Sequence, residues 1–111
     1  MARSGLDLLQ GTLDILVLKA LTWGPRHGYA LASWIRERTQ DDLNIEDGAL
    51  YTCLHRMEQK GWLEAVWGVT ENRRKAKYYQ LTETGRRELK EARTRWSTYA
   101  QAVFRVLEAR A

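Results

Sequence analysis

The sequence predicts a mainly α-helical fold with one small two-stranded β-hairpin and a long helix at the C-terminal end. Apolar residues recur at helical spacing in several separate stretches of the chain. Two short runs in which apolar and polar residues partly alternate, "WLEAVWGV" and "KYYQL", flank a polar turn rich in arginine and lysine. The last stretch has the most regular helical pattern. The predicted order is therefore three helices, a strand, a basic turn, a strand and a long helix.

Size and composition limit the functions to be considered. The 111 residues fit one domain, and the hydrophobic fraction of 44% is that of an ordinary globular protein. The net charge of +4 favours an anionic partner, with nucleic acid ahead of membrane. No apolar run approaches the length of a membrane span and "MARSGLDLLQGT" is no signal peptide, so we predict a cytoplasmic location without membrane contact.

The first helix is predicted to begin near Leu6 or Gly11 and to run to Trp23. Its apolar residues lie around most of its circumference: Leu6, Leu8, Leu9, Leu13, Ile15, Leu16, Val17, Leu18, Ala20 and Leu21. A helix of this kind is covered on two sides. We expect its own domain to cover one side and a second subunit to cover the other.

The next two helices follow clear breaks in the pattern. The sequence "GPRHG" ends the first pattern, and the second helix is predicted over residues 29–40. The third helix covers residues 48–60, and Gly61 fits the left-handed position that commonly ends a helix. A small domain needs large side chains to fill its core, so we expect four tryptophans to lie there: Trp23, Trp34, Trp62 and Trp67.

The last helix has a seam of apolar residues separated alternately by three and four positions. The seam consists of Leu89, Ala92, Trp96, Tyr99, Val103 and Val106. This spacing is typical of a helix that pairs with another helix of similar length. The sequence therefore predicts a homodimer. It also divides the chain into a DNA-binding unit over residues 1–82 and a dimerisation helix over residues 83–111.

The third helix has the pattern of a helix that reads DNA. Leu50, Leu54 and Met57 share one face, and polar or small residues lie opposite. Small residues near its start would allow close approach to base edges in the major groove. The predicted base contacts are Ala49, Thr52, His55 and Arg56. Tyr51 and the start of the second helix, at His27 and Tyr29, are predicted to contact phosphates, with a capping role as the alternative for His27.

The basic turn completes a winged helix-turn-helix. Arg73, Arg74, Lys75 and Lys77 lie close together, where like charges repel and no core is stabilised. Next to DNA the same charges release counterions from the phosphates. We therefore predict that the hairpin is a wing and that the partner is double-stranded DNA at a promoter operator.

Three segments, "GTLDILVLKALTWGPRHGYAL", "GALYTCLHRMEQKGWLEAVWG" and "NRRKAKYYQLTETGRREL", resemble the PadR family of bacterial transcriptional regulators, in its compact branch with a single C-terminal helix. The resemblance implies a winged-helix domain, dimerisation through the last helix, and repression of promoters that is relieved by a small molecule or stress. Thr52 stands where the family often has proline, which would alter sequence preference. In compact relatives a tryptophan of the last helix stacks on aromatic compounds; here Trp96, with Ile15 and Lys19, would form such a site for a small aromatic effector, or Trp96 would simply anchor the dimer.

Other functions find less support in the sequence. Cys53 is interpreted as a packed residue rather than a redox switch, and His27 and His55 do not form a metal-binding pattern, so no cofactor or metal is expected. Catalytic motifs are absent from the sequence, which predicts that the chain is not an enzyme. The alternatives to a DNA-binding regulator are a winged-helix protein-interaction module and a small-molecule sensor without direct DNA binding.

Overall fold

The computed structural model describes residues 6–7 and 11–111. Its helices are α1 (Thr12–Ala20), α2 (Gly28–Arg38), α3 (Asp47–Gln59) and α4 (Glu83–Leu107). Its strands are β1 (Leu6–Asp7), β2 (Arg26–His27), β3 (Leu43–Asn44), β4 (Leu63–Val69) and β5 (Lys75–Leu81). The predicted fold class, mainly helical with a small hairpin and a long last helix, is confirmed.

The first helix begins near the later of its two predicted starts. Gly11 precedes α1 in a left-handed conformation, and the helix begins at Thr12. Leu6 belongs to a short strand instead, and Leu8 and Leu9 lie outside the described residues. α1 contacts α2, α3 and α4 of the same chain. α4 thus covers part of α1, while Ile15 and Leu16 are only half-buried, and the cover by a second subunit stays a prediction.

The hairpin carries a third strand that the sequence did not indicate. β4 and β5 pair antiparallel from Leu63 opposite Leu81 to Val69 opposite Lys75. β2 then pairs with β5 on its other side, so that His27 lies opposite Tyr78. Because β2 leads directly into α2, this pairing attaches the start of α2 to the wing. β1 forms a separate parallel pair with β3.

One apolar core joins the helices to the base of the hairpin. Its most deeply buried large side chains are Val17, Leu18, Leu21, Leu31, Ile35, Leu50, Leu54 and Met57. Trp34 and Trp62 pack against this core as predicted, but Trp23 and Trp67 are 64% and 67% exposed. The prediction for these two residues was wrong. Trp23 follows the end of α1 and contacts Lys19 and Trp34, and Trp67 lies in the outer half of the wing.

The connections at either end of the hairpin are fixed by backbone geometry. Gly61 ends α3 with a φ of 79°, which confirms the predicted left-handed position. The Thr82 side chain accepts a hydrogen bond from the Gly85 N–H and so caps α4. Beyond the core, α4 leaves much of its apolar surface exposed, including the residues Trp96, Tyr99, Val103, Phe104, Val106 and Leu107.

Candidate nucleic-acid interface

The outer face of α3 is accessible and consists of small or hydrogen-bonding residues. Leu50, Cys53, Leu54 and Met57 point into the core, and four residues on the opposite side are exposed: Gly48, Thr52, His55 and Gln59. Ala49 is also exposed, at the edge of this surface. We call the four opposite residues the reading face. Their small or hydrogen-bonding side chains suit close approach to base edges in a major groove.

One flank of the reading face is bound to α1. The Arg56 guanidinium donates hydrogen bonds from both terminal nitrogens to the Asp14 carboxylate, at 2.9 and 2.5 Å. The Cys53 thiol donates to the same carboxylate at 3.2 Å. Two residues of α3 therefore hold one residue of α1. The side chain of Arg56, predicted to contact bases, is thus directed to Asp14.

Asp14, Cys53 and Arg56 influence each other's pKa values through their hydrogen bonds. Burial raises the pKa of the Asp14 carboxyl, but its hydrogen bonds to Arg56 and Cys53 and the nearby positive charges outweigh that effect, so the net pKa is lowered. Burial raises the pKa of the Cys53 thiol to about 12, and the Asp14 carboxylate adds to the rise. Asp14 is therefore a carboxylate and Cys53 a neutral thiol near neutral pH. A neutral buried thiol is a poor nucleophile, in line with a packed residue.

The other flank of α3 is bound to the wing. Lys77 of β5 donates a hydrogen bond from Nζ to Glu58 Oε1 at 3.0 Å. The same ammonium group lies 5.4 Å from the centre of the Tyr79 ring. The hydrogen bond to Glu58 raises the pKa of Lys77. Lys77 was predicted to face phosphates, but its charge is largely balanced within the protein.

The start of α2 lies against α3 through one close contact. A Cβ atom added to Gly28 would lie within 2.9 Å of three atoms of the Tyr51 side chain, so any larger residue would require the Tyr51 ring to move. His27 caps α2, because its Nδ1 accepts a hydrogen bond from the Ala30 N–H at 3.2 Å. In the neutral ring the proton must then be on Nε2, which makes that atom a donor. Tyr29 is exposed beside it.

The wing turn presents its cations to solvent. Thr70 and Arg74 close the turn by a backbone hydrogen bond of 2.9 Å, and Arg73 has a φ of 60°. None of the ion pairs found within residues 11–111 includes Arg73, Arg74 or Lys75. We call these three residues the wing-tip cations. Their charge is available to an external anion.

An open groove joins these parts. Its volume is about 1080 Å³, and its walls are the start of α2, Tyr51 of α3 and the wing. Residues from three of the predicted contact sets line it together: His27 and Tyr29, Tyr51, and Arg74, Lys75 and Lys77. Ala49, Thr52, His55 and Arg56 lie on α3 outside the lining. Asp14 and Glu58 were missed by sequence analysis, because their partners are 42 and 19 residues away along the chain.

The residues predicted to bind an effector lie on two helices, Trp96 on α4 and Ile15 and Lys19 on α1, and the aromatic contacts of Trp96 and Lys19 are with other residues. Trp96 stacks on Tyr99 in α4, with ring centres 5.9 Å apart. Ile15 is half-buried in α1, while the Lys19 ammonium lies over Trp23, 4.9 Å from its ring centre. In the described part of the chain, no helix is long and apolar enough to cross a membrane.

The helix order, the exposed α3 and the hairpin beside it define a winged helix-turn-helix protein. The model of the transcriptional regulator PadR-like family matches residues 17–91. A PadR family transcriptional regulator from Eggerthella lenta has a similar structure, with a TM-score of 0.78 and 33% identity, covering 91% of this chain and 86% of the other. An uncharacterised protein of Lysinibacillus sphaericus is 31% identical over 102 residues, which is 92% of this chain and 94% of the relative.

A structure of Bacillus subtilis PadR in complex with operator DNA shares the fold, with a TM-score of 0.64 and 23% identity. The alignment covers 71% of this chain and 45% of that one. The chain belongs to the PadR-like family of transcriptional regulators. As a member of that family it is a regulator and not an enzyme, as the sequence predicted.

Proposed function

We propose that the chain is a cytoplasmic repressor that binds a pseudo-palindromic promoter operator as a homodimer. The observation that carries this proposal is the combination of an exposed reading face of small or hydrogen-bonding residues with three wing-tip cations that have no ion-pair partner within residues 11–111. Sequence-reading proteins need both parts, because phosphate contacts position the protein and base contacts specify the site. A relative of the same fold is bound to operator DNA in its structure.

The contacts are divided between the elements. Thr52 and His55 of the reading face, with Ala49 at its edge, reach base edges. The wing-tip cations reach phosphates, together with Tyr51, Tyr29 and His27, whose Nε2–H is a donor. Arg56 and Lys77 are excluded from direct contacts in this proposal, because each is already paired with a carboxylate.

The dimer forms through residues 83–111. The apolar residues at the C-terminal half of α4 are exposed on the single chain, and a second α4 would bury them: Trp96, Tyr99, Val103 and Val106 from the predicted seam, with Phe104 and Leu107 besides. The first two residues of the seam, Leu89 and Ala92, are half-buried, and Leu89 packs against the core of its own chain. A two-fold dimer requires a two-fold symmetric operator.

A small aromatic effector would bind beside Trp96. The stacked Trp96–Tyr99 pair offers a partly exposed π-surface. A planar cationic dye should quench the tryptophan fluorescence of the wild-type protein and should quench it less in Trp96→Leu. Equal quenching of both proteins would assign the binding elsewhere, since four other tryptophans are present.

The test of DNA binding compares two substitutions on two duplexes. Arg74→Ala should weaken binding to the operator and to a random duplex by a similar factor, because a phosphate contact carries no sequence information. Thr52→Ala should change the preferred base at one position of each half-site, with a cost of about 1–3 kcal/mol on the original operator. Fluorescence anisotropy with duplexes from the gene's own upstream region measures both. Equal losses from Thr52→Ala on operator and random DNA would exclude Thr52 as a base contact.

A protein-interaction module with the same fold would behave differently. It would bind neither duplex at low salt, and neither substitution would change its behaviour. The gel shift of the wild-type protein on its upstream region separates the two functions before any variant is made.

A further inference from the structure

Two carboxylates next to the reading face hold the cations that flank it. Asp14 of α1 pairs with Arg56 on one flank, and Glu58 of α3 pairs with Lys77 of β5 on the other. Arg56 and Glu58 are two residues apart on α3, so both pairs lie in the same turn of the helix. Thr52 lies one turn earlier on α3, and His55 lies on the outer side of the same turn as the two pairs.

Both cations would be free to reach DNA without these partners. The side chain of Arg56 is 44% exposed, whereas that of Asp14 is 22% exposed. Lys77 lines the groove between the wing and α2. Once released, Arg56 or Lys77 would lie next to the proposed base contacts. It would then meet the phosphates that border the DNA groove into which α3 is inserted. The geometry of the pairs therefore decides how much charge α3 and its surroundings present to DNA.

We infer that Asp14 and Glu58 are positioning residues for specificity, which hold Arg56 and Lys77 away from the phosphates. The inference rests on the proposed function as a DNA-binding regulator. Charge contacts to phosphate strengthen binding to every sequence alike. Because Arg56 and Lys77 are held by protein carboxylates, their two charges add little to the sequence-independent attraction of the wing-tip cations. Discrimination by Thr52 and His55 then makes up a larger share of the binding energy.

Asp14 also links the DNA-reading element to the rest of the fold. It accepts hydrogen bonds from both Cys53 and Arg56, which lie three residues apart on α3. α1, in turn, packs against α4. A substitution at Asp14 could therefore move α3 as well as release Arg56, and the experiment must separate these two effects.

The experiment measures affinity against salt for the full chain on the operator and on a random duplex. In Asp14→Asn the side chain keeps its size and loses its charge, so Arg56 is released. We expect the random duplex to be bound about three to ten times more tightly at about 0.1 M salt, with a salt slope about one unit steeper per subunit. The ratio of operator to random affinity should fall by a similar factor.

The double variant Asp14→Asn/Arg56→Gln is the matched control. Charge is removed from both partners, so the random-duplex affinity and the salt slope should return to the wild-type values. A slope flatter than wild type by about one unit per subunit would show that Arg56 contacts a phosphate in the native complex, and would overturn the inference. Persistence of the tighter random binding in the double variant would also overturn it, since the gain could then not come from Arg56.

Glu58→Gln is an independent variant on the other flank. It should release Lys77 and reproduce the steeper slope on both duplexes, whether or not Asp14→Asn folds well. If the wild-type protein binds its operator but the salt slopes of Glu58→Gln and of a folded Asp14→Asn are unchanged, the inference is overturned. Failure of the wild-type protein to bind any duplex would instead refute the proposed function.

Discussion

Arg73 adopts a backbone conformation that costs energy for every residue type except glycine. Its φ of 60° lies in the left-handed region, which an L-residue with a Cβ atom occupies at a cost of about 1 kcal/mol. The side chain forms no ion pair within residues 11–111 that would offset this cost.

Arg73→Gly should therefore change stability and DNA binding in opposite directions. Glycine relieves the strain, and after its greater freedom in the unfolded chain is deducted the gain should be about 0.5 kcal/mol. Loss of one cation should weaken binding to all duplexes and flatten the salt slope by about one unit per subunit. Urea unfolding and anisotropy titrations measure the two effects. Arg74→Gly, at a residue without positive φ, is the matched control and should lower both stability and affinity.

The buried position of Cys53 predicts how the free energy of unfolding depends on pH. Burial raises the pKa of the thiol from 9.0 to about 12, so the folded protein keeps a proton that the unfolded chain loses above pH 9. The free energy of unfolding contributed by this group is fully present below pH 9 and falls as pH rises toward 12. The same shift makes the thiolate fraction near pH 8 roughly a thousandfold lower in the folded state.

Two measurements check the Cys53 prediction. Iodoacetamide at about pH 8 should label the native protein far more slowly than the urea-unfolded chain. Cys53→Ala should lose less stability than the wild type between about pH 9 and pH 11, because it has no thiol to deprotonate on unfolding. Native labelling as fast as that of the unfolded chain would show that the thiol is accessible and would refute the buried hydrogen-bonded arrangement.

At the scale of elements, Thr82 connects three parts of the fold. Its Oγ1 accepts a hydrogen bond from the Gly85 N–H at 3.0 Å and donates to the Gly61 carbonyl oxygen at 2.6 Å. Its N–H donates to the Trp62 carbonyl oxygen at 3.0 Å. The side chain thus caps α4 and holds the end of α3 next to it. Thr82→Ala should lower the free energy of unfolding by about 1–2 kcal/mol.

Thr82→Ser is the control for the capping role of Thr82, because serine keeps the hydroxyl and loses only a methyl group. It should lie within about 0.5 kcal/mol of the wild type in urea unfolding. A Thr82→Ser protein as unstable as Thr82→Ala would assign the loss to the methyl group and its packing, and would contradict the capping role.

Periodicity and turn residues were enough to predict α2, α3, α4 and the hairpin, because each of these elements has a pattern within its own residues. The third strand was missed, since Arg26 and His27 are too few to show alternation and follow a proline. The ion pairs of Arg56 and Lys77 were missed for a different reason. The first pair forms only when α1 and α3 come together in space, and the second only when α3 and β5 do. Local sequence does not indicate which cation will pair with which carboxylate.

At the scale of the whole molecule, the proposed dimer predicts how many wing tips meet one duplex. Each chain has three wing-tip cations, Arg73, Arg74 and Lys75, which lack ion-pair partners within residues 11–111. A dimer joined through α4 would bring both sets to the same DNA. If each wing-tip cation contacts one phosphate, the dimer should bind random DNA with a log–log salt slope of about −5.

Val103→Glu tests the proposed dimer, because it places a charge among exposed apolar residues of α4 and leaves the core of the chain unchanged. We expect a monomer in light scattering, a salt slope on random DNA of about −3, and loss of tight operator binding, since one wing and one reading face remain. Gln101→Glu adds the same charge about half a turn away on α4 and should remain dimeric with the full slope. A monomeric Val103→Glu that kept the full slope would show that a single chain makes all the phosphate contacts, and the dimeric mode of binding would be refuted.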